Sequence, residues 1–153
     1  MTQNEKLKIL WIDDAFAYDL HAMMAYVDEL RGSKGGFDVK EIARSDEALE
    51  ILESGTDEFV CIILDIMMPY GKRITRKASD VGMSSGIILK TKIHDIDDGK
   101  YRSVPIVMLT SVRRQEKYIA DYLKKNPDTC FFKGEISAED FREKIKKLIR
   151  SKQ

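Results

Sequence analysis

The sequence predicts a doubly wound α/β domain: a five-stranded parallel sheet with five helices distributed over both faces. Short apolar runs alternate along the chain with stretches of helical periodicity, the pattern that βαβ units impose. The runs around Leu10, Ile62 and Val107 are apolar without alternation, as expected of strands buried on both faces. The length, 153 residues, suits one domain with a core of its own.

The elements follow in order. Lys8–Ile12 is an apolar strand that ends in Asp13 and Asp14. Leu20, Met23, Met24, Val27 and Leu30 then recur at helical spacing, and Gly32, Gly35 and Gly36 stop that helix. Phe37 to Ala43 alternates and reads as a more exposed strand. Ser45 is placed to N-cap a short helix through Ser54, with Gly55 just past its end. Phe59–Leu64 is the strongest strand signal and runs into Asp65. Met67, Met68 and Pro69 follow within a turn, then a polar stretch from Tyr70 to Ser85, then a helix from about Gly86 with Ile87, Ile88 and Leu89. Val104 to Leu109 is a strand ending at Thr110 and Ser111. A charged helix holds Tyr118, Ile119, Tyr122 and Leu123. Thr129 to Phe132 is a fifth strand, ending at Lys133. Ser137 to Asp140 resembles a capping box and opens a last helix with Ala138, Phe141, Ile145 and Leu148 on one face.

Composition excludes several classes of function. Lys+Arg and Asp+Glu both number 26, so no global basic field favours direct nucleic-acid or membrane-surface binding. The longest apolar run is far short of a membrane span, and the first residues lack the apolar core of a signal peptide. The expected location is therefore cytoplasmic. Cys61 and Cys130 lie in apolar surroundings with no CxxC and no Cys/His cluster, so they read as reduced core residues and not as zinc ligands. Trp11 reads as core. His21 and His94 lie in helices away from the strand ends and read as surface residues.

The residues that carry chemistry share one placement. Asp13, Asp14, Asp65, Thr110 and Lys133 all stand at carboxyl ends of predicted strands, the rim where open α/β sheets bind ligands. Helix capping explains any one of them, but accounts poorly for the whole set. Three gathered carboxylates repel one another. A divalent cation together with Lys133 neutralises them, and an all-oxygen donor set suits Mg²⁺. A carboxylate beside such a cation and an ammonium can attack phosphorus and form an acyl phosphate.

These residues resemble a known family. Trp11-Ile-Asp-Asp14, Leu64-Asp-Ile-Met-Met-Pro69, Leu109-Thr-Ser111 and Phe131-Phe-Lys133 are similar, in this order and over nearly the whole chain, to the motifs of response regulator receiver domains of two-component signalling. The resemblance implies a flavodoxin-like receiver fold with strand order 2-1-3-4-5, an order known for the chemotaxis member of that family. It implies that Asp65 is the phosphoacceptor, that Asp13, Asp14, Asp65 and the backbone carbonyl of Met67 hold Mg²⁺, that Thr110 is a switch hydroxyl, and that Lys133 binds the phosphoryl group. The implied donor is a phosphohistidine on a histidine kinase or phosphotransfer protein. With that strand order, Cys61 and Cys130 stand two strand spacings apart, about 9.6 Å, too far for a disulfide. The resemblance spans a core of about 7–151 in a single receiver domain. Too little chain follows Lys133 for an effector domain, so the expectation is a stand-alone receiver acting on a separate protein effector or within a phosphorelay.

Four features depart from the family pattern. Receivers usually place a Gly about eight residues past the acceptor; the candidate here is Gly86, which makes the 70–85 loop about thirteen residues longer. That loop carries Lys72, Arg73, Arg76 and Lys77 against Asp80, and reads either as a solvated flap or as a docking or lid element. Gly134 follows Lys133 where Pro is common. Cys130 occupies the position of the usual switch aromatic, with Phe131 and Phe132 shifted beside it. Met67 and Val112, two residues past the acceptor and the hydroxyl, offer no polar group to orient water, which predicts slow self-dephosphorylation. Two other functions remain in view: a receiver-fold binding module that works without phosphorylation, and a phosphatase of haloacid-dehalogenase type. The latter usually carries D-x-D after its nucleophile strand, which is absent here.

Overall fold

The computed structural model describes residues 5–17, 21–79, 82, 84–112 and 116–152, and for His21 and Ala22 the backbone only. Leu20, the side chain of His21 and Asp80, each named above, lie outside the described residues.

The strands are β1 (Lys8–Ile12), β2 (Asp38–Ile42), β3 (Phe59–Leu64), β4 (Ile106–Thr110) and β5 (Cys130–Phe132). They form one parallel sheet in the order β2-β1-β3-β4-β5. The helices are α1 (His21–Arg31), α2 (Ser45–Ser54), α3 (Ser85–Asp95), α4 (Lys117–Lys125) and α5 (Ala138–Ser151). This is the doubly wound fold expected, with the expected strand order.

The pleat sorts the core into two layers, because successive side chains on a strand point to opposite faces. Leu10, Ile12, Ile62, Leu64, Ile106 and Met108 face α2, α3 and α4, where they meet Leu49, Leu52, Leu89, Ile93 and Ile119. Ile9, Trp11, Cys61, Ile63, Val107 and Leu109 face α1 and α5, where they meet Val27, Leu30, Phe141, Ile145 and Ile149. Because both faces are covered, the three central strands have no polar side and show no alternation in sequence. Trp11 has no exposed surface and packs 5.9 Å from the Phe141 ring. Cys61 and Cys130 belong to opposite layers, so neither can reach the other; both are unbridged. Burial pushes the Cys61 thiol up to about 12, which keeps it protonated.

Two helix starts differ in how they are capped. Ser45 is the first residue of α2 and is buried; Arg44 holds the N-cap position without a side-chain cap. Ser137 caps α5 as expected, its hydroxyl accepting from the Asp140 N–H at 3.0 Å. Gly55 closes α2 at φ 65°.

The 70–85 segment is not a wholly solvated flap. Ile74 is fully buried in the α2–α3–α4 layer, and Ser79 has no exposed surface. The Asp46 carboxylate, in the first turn of α2, accepts from the backbone N–H groups of Lys72 at 2.9 Å and Arg73 at 3.2 Å. The Arg73 guanidinium pairs in bidentate fashion with Glu53 at the far end of α2. Gly71 lies so close to Asp46 that a Cβ there would stand 2.6 Å from its Oδ2. The described part of the insertion is thus held along the length of α2.

Candidate functional site: an acidic pocket at the carboxyl ends of the strands

Register assembles the site. Ile12 pairs with Leu64 in the β1–β3 ladder, so the next residues, Asp13 and Asp65, emerge side by side. The ladder continues past the strand ends: Asp13 N donates to Ile42 O at 2.9 Å and Asp65 N to Ile12 O at 3.2 Å. Thr110 pairs with Phe132, which sets Lys133 next, and Lys133 N donates to Thr110 O at 2.8 Å. The aligned carboxyl ends of the parallel strands therefore deliver two acids, a hydroxyl and an ammonium to one rim. A single 3-10 turn after β1, Asp14–Ala17, brings Asp14 over the same pocket.

Lys133 Nζ sits 2.8 Å from Asp13 Oδ2 and 3.2 Å from Asp65 Oδ2. Asp13 Oδ1 accepts from Ala15 N at 2.9 Å. Asp13 has no exposed surface and Asp65 is 4% exposed, whereas Asp14 is half-buried. Burial lifts the Asp65 carboxyl to about 6; the neighbouring charge of Asp13 adds to this, while Lys133 and the Thr110 hydroxyl oppose it. Asp14 is raised as well, by burial first and then by Asp13, against the pull of Lys133. For Lys133, burial works to lower the pKa, but Asp65 and Asp13 together outweigh it and the ammonium is held above its ordinary value.

The donor set fits a hard divalent cation. Asp13, Asp14 and Asp65 offer ligand oxygens within 4.8 Å of one another. Three carboxylates against one ammonium leave two negative charges unbalanced in a poorly solvated pocket. Asp65 Oδ1 is buried with no hydrogen-bond partner among the described residues, an acceptor ready for a cation. Every polar group that the sequence placed at this rim is thereby brought together. Met67, proposed for its carbonyl, follows Asp65 closely with its side chain 41% exposed; Val112 is 7% exposed, and its N–H donates to Thr110 Oγ1 at 3.2 Å.

Two glycines fix the surroundings. Gly86 lies in the first turn of α3, where a Cβ would stand 1.9 Å from the Asp65 carbonyl oxygen; its N–H donates to Ile66 O at 2.8 Å. Glycine here lets α3 abut the end of β3. Gly134 adopts φ 84° and its N–H donates to the Tyr26 hydroxyl at 3.3 Å. Proline could do neither. Tyr26 in turn donates to Ile136 O at 2.7 Å, so α1 holds both sides of the turn that follows Lys133. Tyr26 was not among the residues singled out from the sequence. Cys130 is buried in the α4 layer, whereas Phe131 points the other way, 5.9 Å from Phe141.

A doubly wound parallel sheet with an acid cluster, a hydroxyl and a lysine on its carboxyl rim defines the class. Comparison with solved structures places the fold more narrowly. A CheY-like response regulator receiver domain protein from Methanospirillum hungatei JF-1 superposes with a TM-score of 0.67 at 20% identity, covering 97% of both chains. A response regulator receiver protein from Sinorhizobium medicae WSM419 gives 0.67 at 18% identity, over 99% of this chain and 100% of its own. A response regulator receiver domain protein from Clostridium thermocellum gives 0.63 at 18% identity, over 95% and 96%. The chain has the flavodoxin-like receiver fold. No family model and no curated protein matches it by sequence. Among the described residues, no helix is long and apolar enough to cross a membrane.

Proposed function

We propose that this chain is a response regulator receiver in which Asp65 accepts a phosphoryl group from a phosphohistidine of a histidine kinase or phosphotransfer protein. The observation that carries this reading is the bridge from Lys133 Nζ to Asp13 Oδ2 and Asp65 Oδ2 beside the unpartnered Asp65 Oδ1. An Asp65 oxygen attacks phosphorus, the bond from phosphorus to the donor nitrogen breaks, and its electron pair stays on the imidazole, which takes up a proton. Lys133 neutralises charge on the transferring oxygens, and the Thr110 hydroxyl donates to one of them once they are bound to Asp65. Mg²⁺, held by Asp13, Asp14, Asp65 and the Met67 carbonyl, would supply the remaining positive charge. The apolar side chains of Met67 and Val112 orient no water, so the acyl phosphate is long-lived. The chain works as a switch for a separate protein effector, from the cytoplasm, as a single receiver domain over about 7–151.

Incubation with acetyl phosphate and Mg²⁺ tests this. The expected product is an acid-stable, base-labile adduct that is lost with EDTA and in Asp65→Asn. No adduct from small donors or from histidine kinases would favour the phosphorylation-independent binding module. Adduct that persists in Asp65→Asn would refute the assignment of the acceptor.

A further inference from the structure

The insertion builds a cleft that the phosphorylation pocket alone does not explain. The cleft has a volume of about 510 Å³ and is walled on one side by Pro69, Tyr70, Gly71 and Lys72, and on the other by Arg44 and Ser45 at the start of α2. Asp14 lines it too, so one end of the cleft opens on the acidic pocket. The insertion wall is a built surface. Asp46 pins it through two backbone N–H groups, Gly71 permits the close approach, and Ile74 anchors it in the core. The charge of Asp46 is spent on that clasp. Arg44 and Lys72 line the cleft and form no ion pair among the described residues. Tyr70, which lines the cleft, is 45% exposed, as a large contact residue of a protein interface is before docking.

We propose that this cleft recognises the phosphodonor protein through an acidic segment flanking its phosphohistidine, with Arg44 and Lys72 pairing its carboxylates and Tyr70 covering its backbone. This rests on the phosphoacceptor reading above, and names the partner surface which that reading leaves open. Charge complementarity selects the occupant: two unpaired cations face a cleft whose own acids are committed, Asp46 to the clasp and Asp14 to the pocket. Continuity with the pocket selects the donor over the effector, since a segment lying in the cleft presents its neighbouring residue to Asp65.

The test uses two synthetic phosphohistidine peptides, one with glutamates on both sides of the phosphohistidine and one with serines there. The readout is the ratio of their rates of Asp65 labelling, which cancels any general effect of a substitution. Partly exposed ion pairs of this kind imply a ratio of about fivefold in the native chain at low salt, falling with ionic strength. In the Arg44→Gln/Lys72→Gln double variant the ratio falls to about 1. A ratio near 1 in the native chain, or one that survives the double substitution, overturns the cleft assignment. Labelling of the native chain by acetyl phosphate is run alongside. Its presence with a flat peptide ratio discards the cleft and keeps the acceptor; its absence discards both.

Discussion

The ammonium of Lys133 lies 3.2 Å from Asp65 Oδ2, although 68 residues separate them in the chain. It also serves Asp13, and no other cation of the described residues approaches these two carboxylates within 4 Å. The pocket therefore depends on one positive charge when no metal is bound.

Lys133→Met removes that charge and leaves two buried carboxylates facing each other. The expected cost in the metal-free protein is about 2–4 kcal/mol at pH 7.5, read by urea denaturation. Mg²⁺ should recover part of it. A loss under about 0.5 kcal/mol would mean that the bridge contributes little.

Metal affinity should depend on pH with a sign set by Asp65. Its folded-state carboxyl is raised to about 6, so the ligand oxygen is protonated below that and ionised above it. Mg²⁺ binding measured by calorimetry is expected to weaken about tenfold per pH unit as pH falls below 6, with Asp14, also raised, steepening the fall. The same shift acts on folding. The native state holds this proton more tightly than the unfolded chain, so the Asp65 contribution to metal-free stability is present below about pH 4 and lost as pH rises through 6. Asp65→Asn should flatten that part of the stability profile.

Gly86→Ala tests the abutment of α3 on β3. A methyl 1.9 Å from the Asp65 carbonyl oxygen cannot be accommodated in place, and the obstacle is backbone. A destabilisation of roughly 1–3 kcal/mol is expected, with weaker Mg²⁺ binding because Asp65 must move. Gly134→Pro, which would install the residue common there in response regulator receivers, should also destabilise this chain, since φ 84° is closed to proline and the Tyr26 contact is lost. Equal melting temperatures for either variant and the native chain would contradict the geometry.

Asp46→Ala should release the insertion from α2 while leaving the acidic pocket intact. Two backbone N–H groups lose their acceptor, at a cost of about 1 kcal/mol. Faster amide exchange confined to residues 71–79 is the expected signature. Unchanged protection there would mean that Ile74 and the Arg73–Glu53 pair hold the segment without the clasp.

The β3 run and its terminal Asp65 were legible because a strand buried on both faces has no polar position until it ends, so the first acid marks the rim. Gly86 was picked out only as the counterpart of the glycine that the resemblance expects past the acceptor; its reason, a helix start abutting a strand end, shows only in the structure. The clasp between Asp46 and the insertion was not legible. It joins a side chain to backbone N–H groups 26 and 27 residues away, and backbone donors leave no trace in sequence. Ser45 was misplaced by one residue as a cap, since a buried Ser in the first turn and a capping Ser look alike in a string of letters. Tyr26 was not singled out at all, because the use of its hydroxyl is fixed by a turn 108 residues on.

The most direct test of the central claim is to place the phosphoryl group. After treatment with acetyl phosphate and Mg²⁺, borohydride trapping followed by peptide mass spectrometry should put the modification on Asp65, and substitution of Lys133 should reduce its yield. Modification on another acid, or full labelling of Asp65 without Mg²⁺ and without Lys133, would contradict the account.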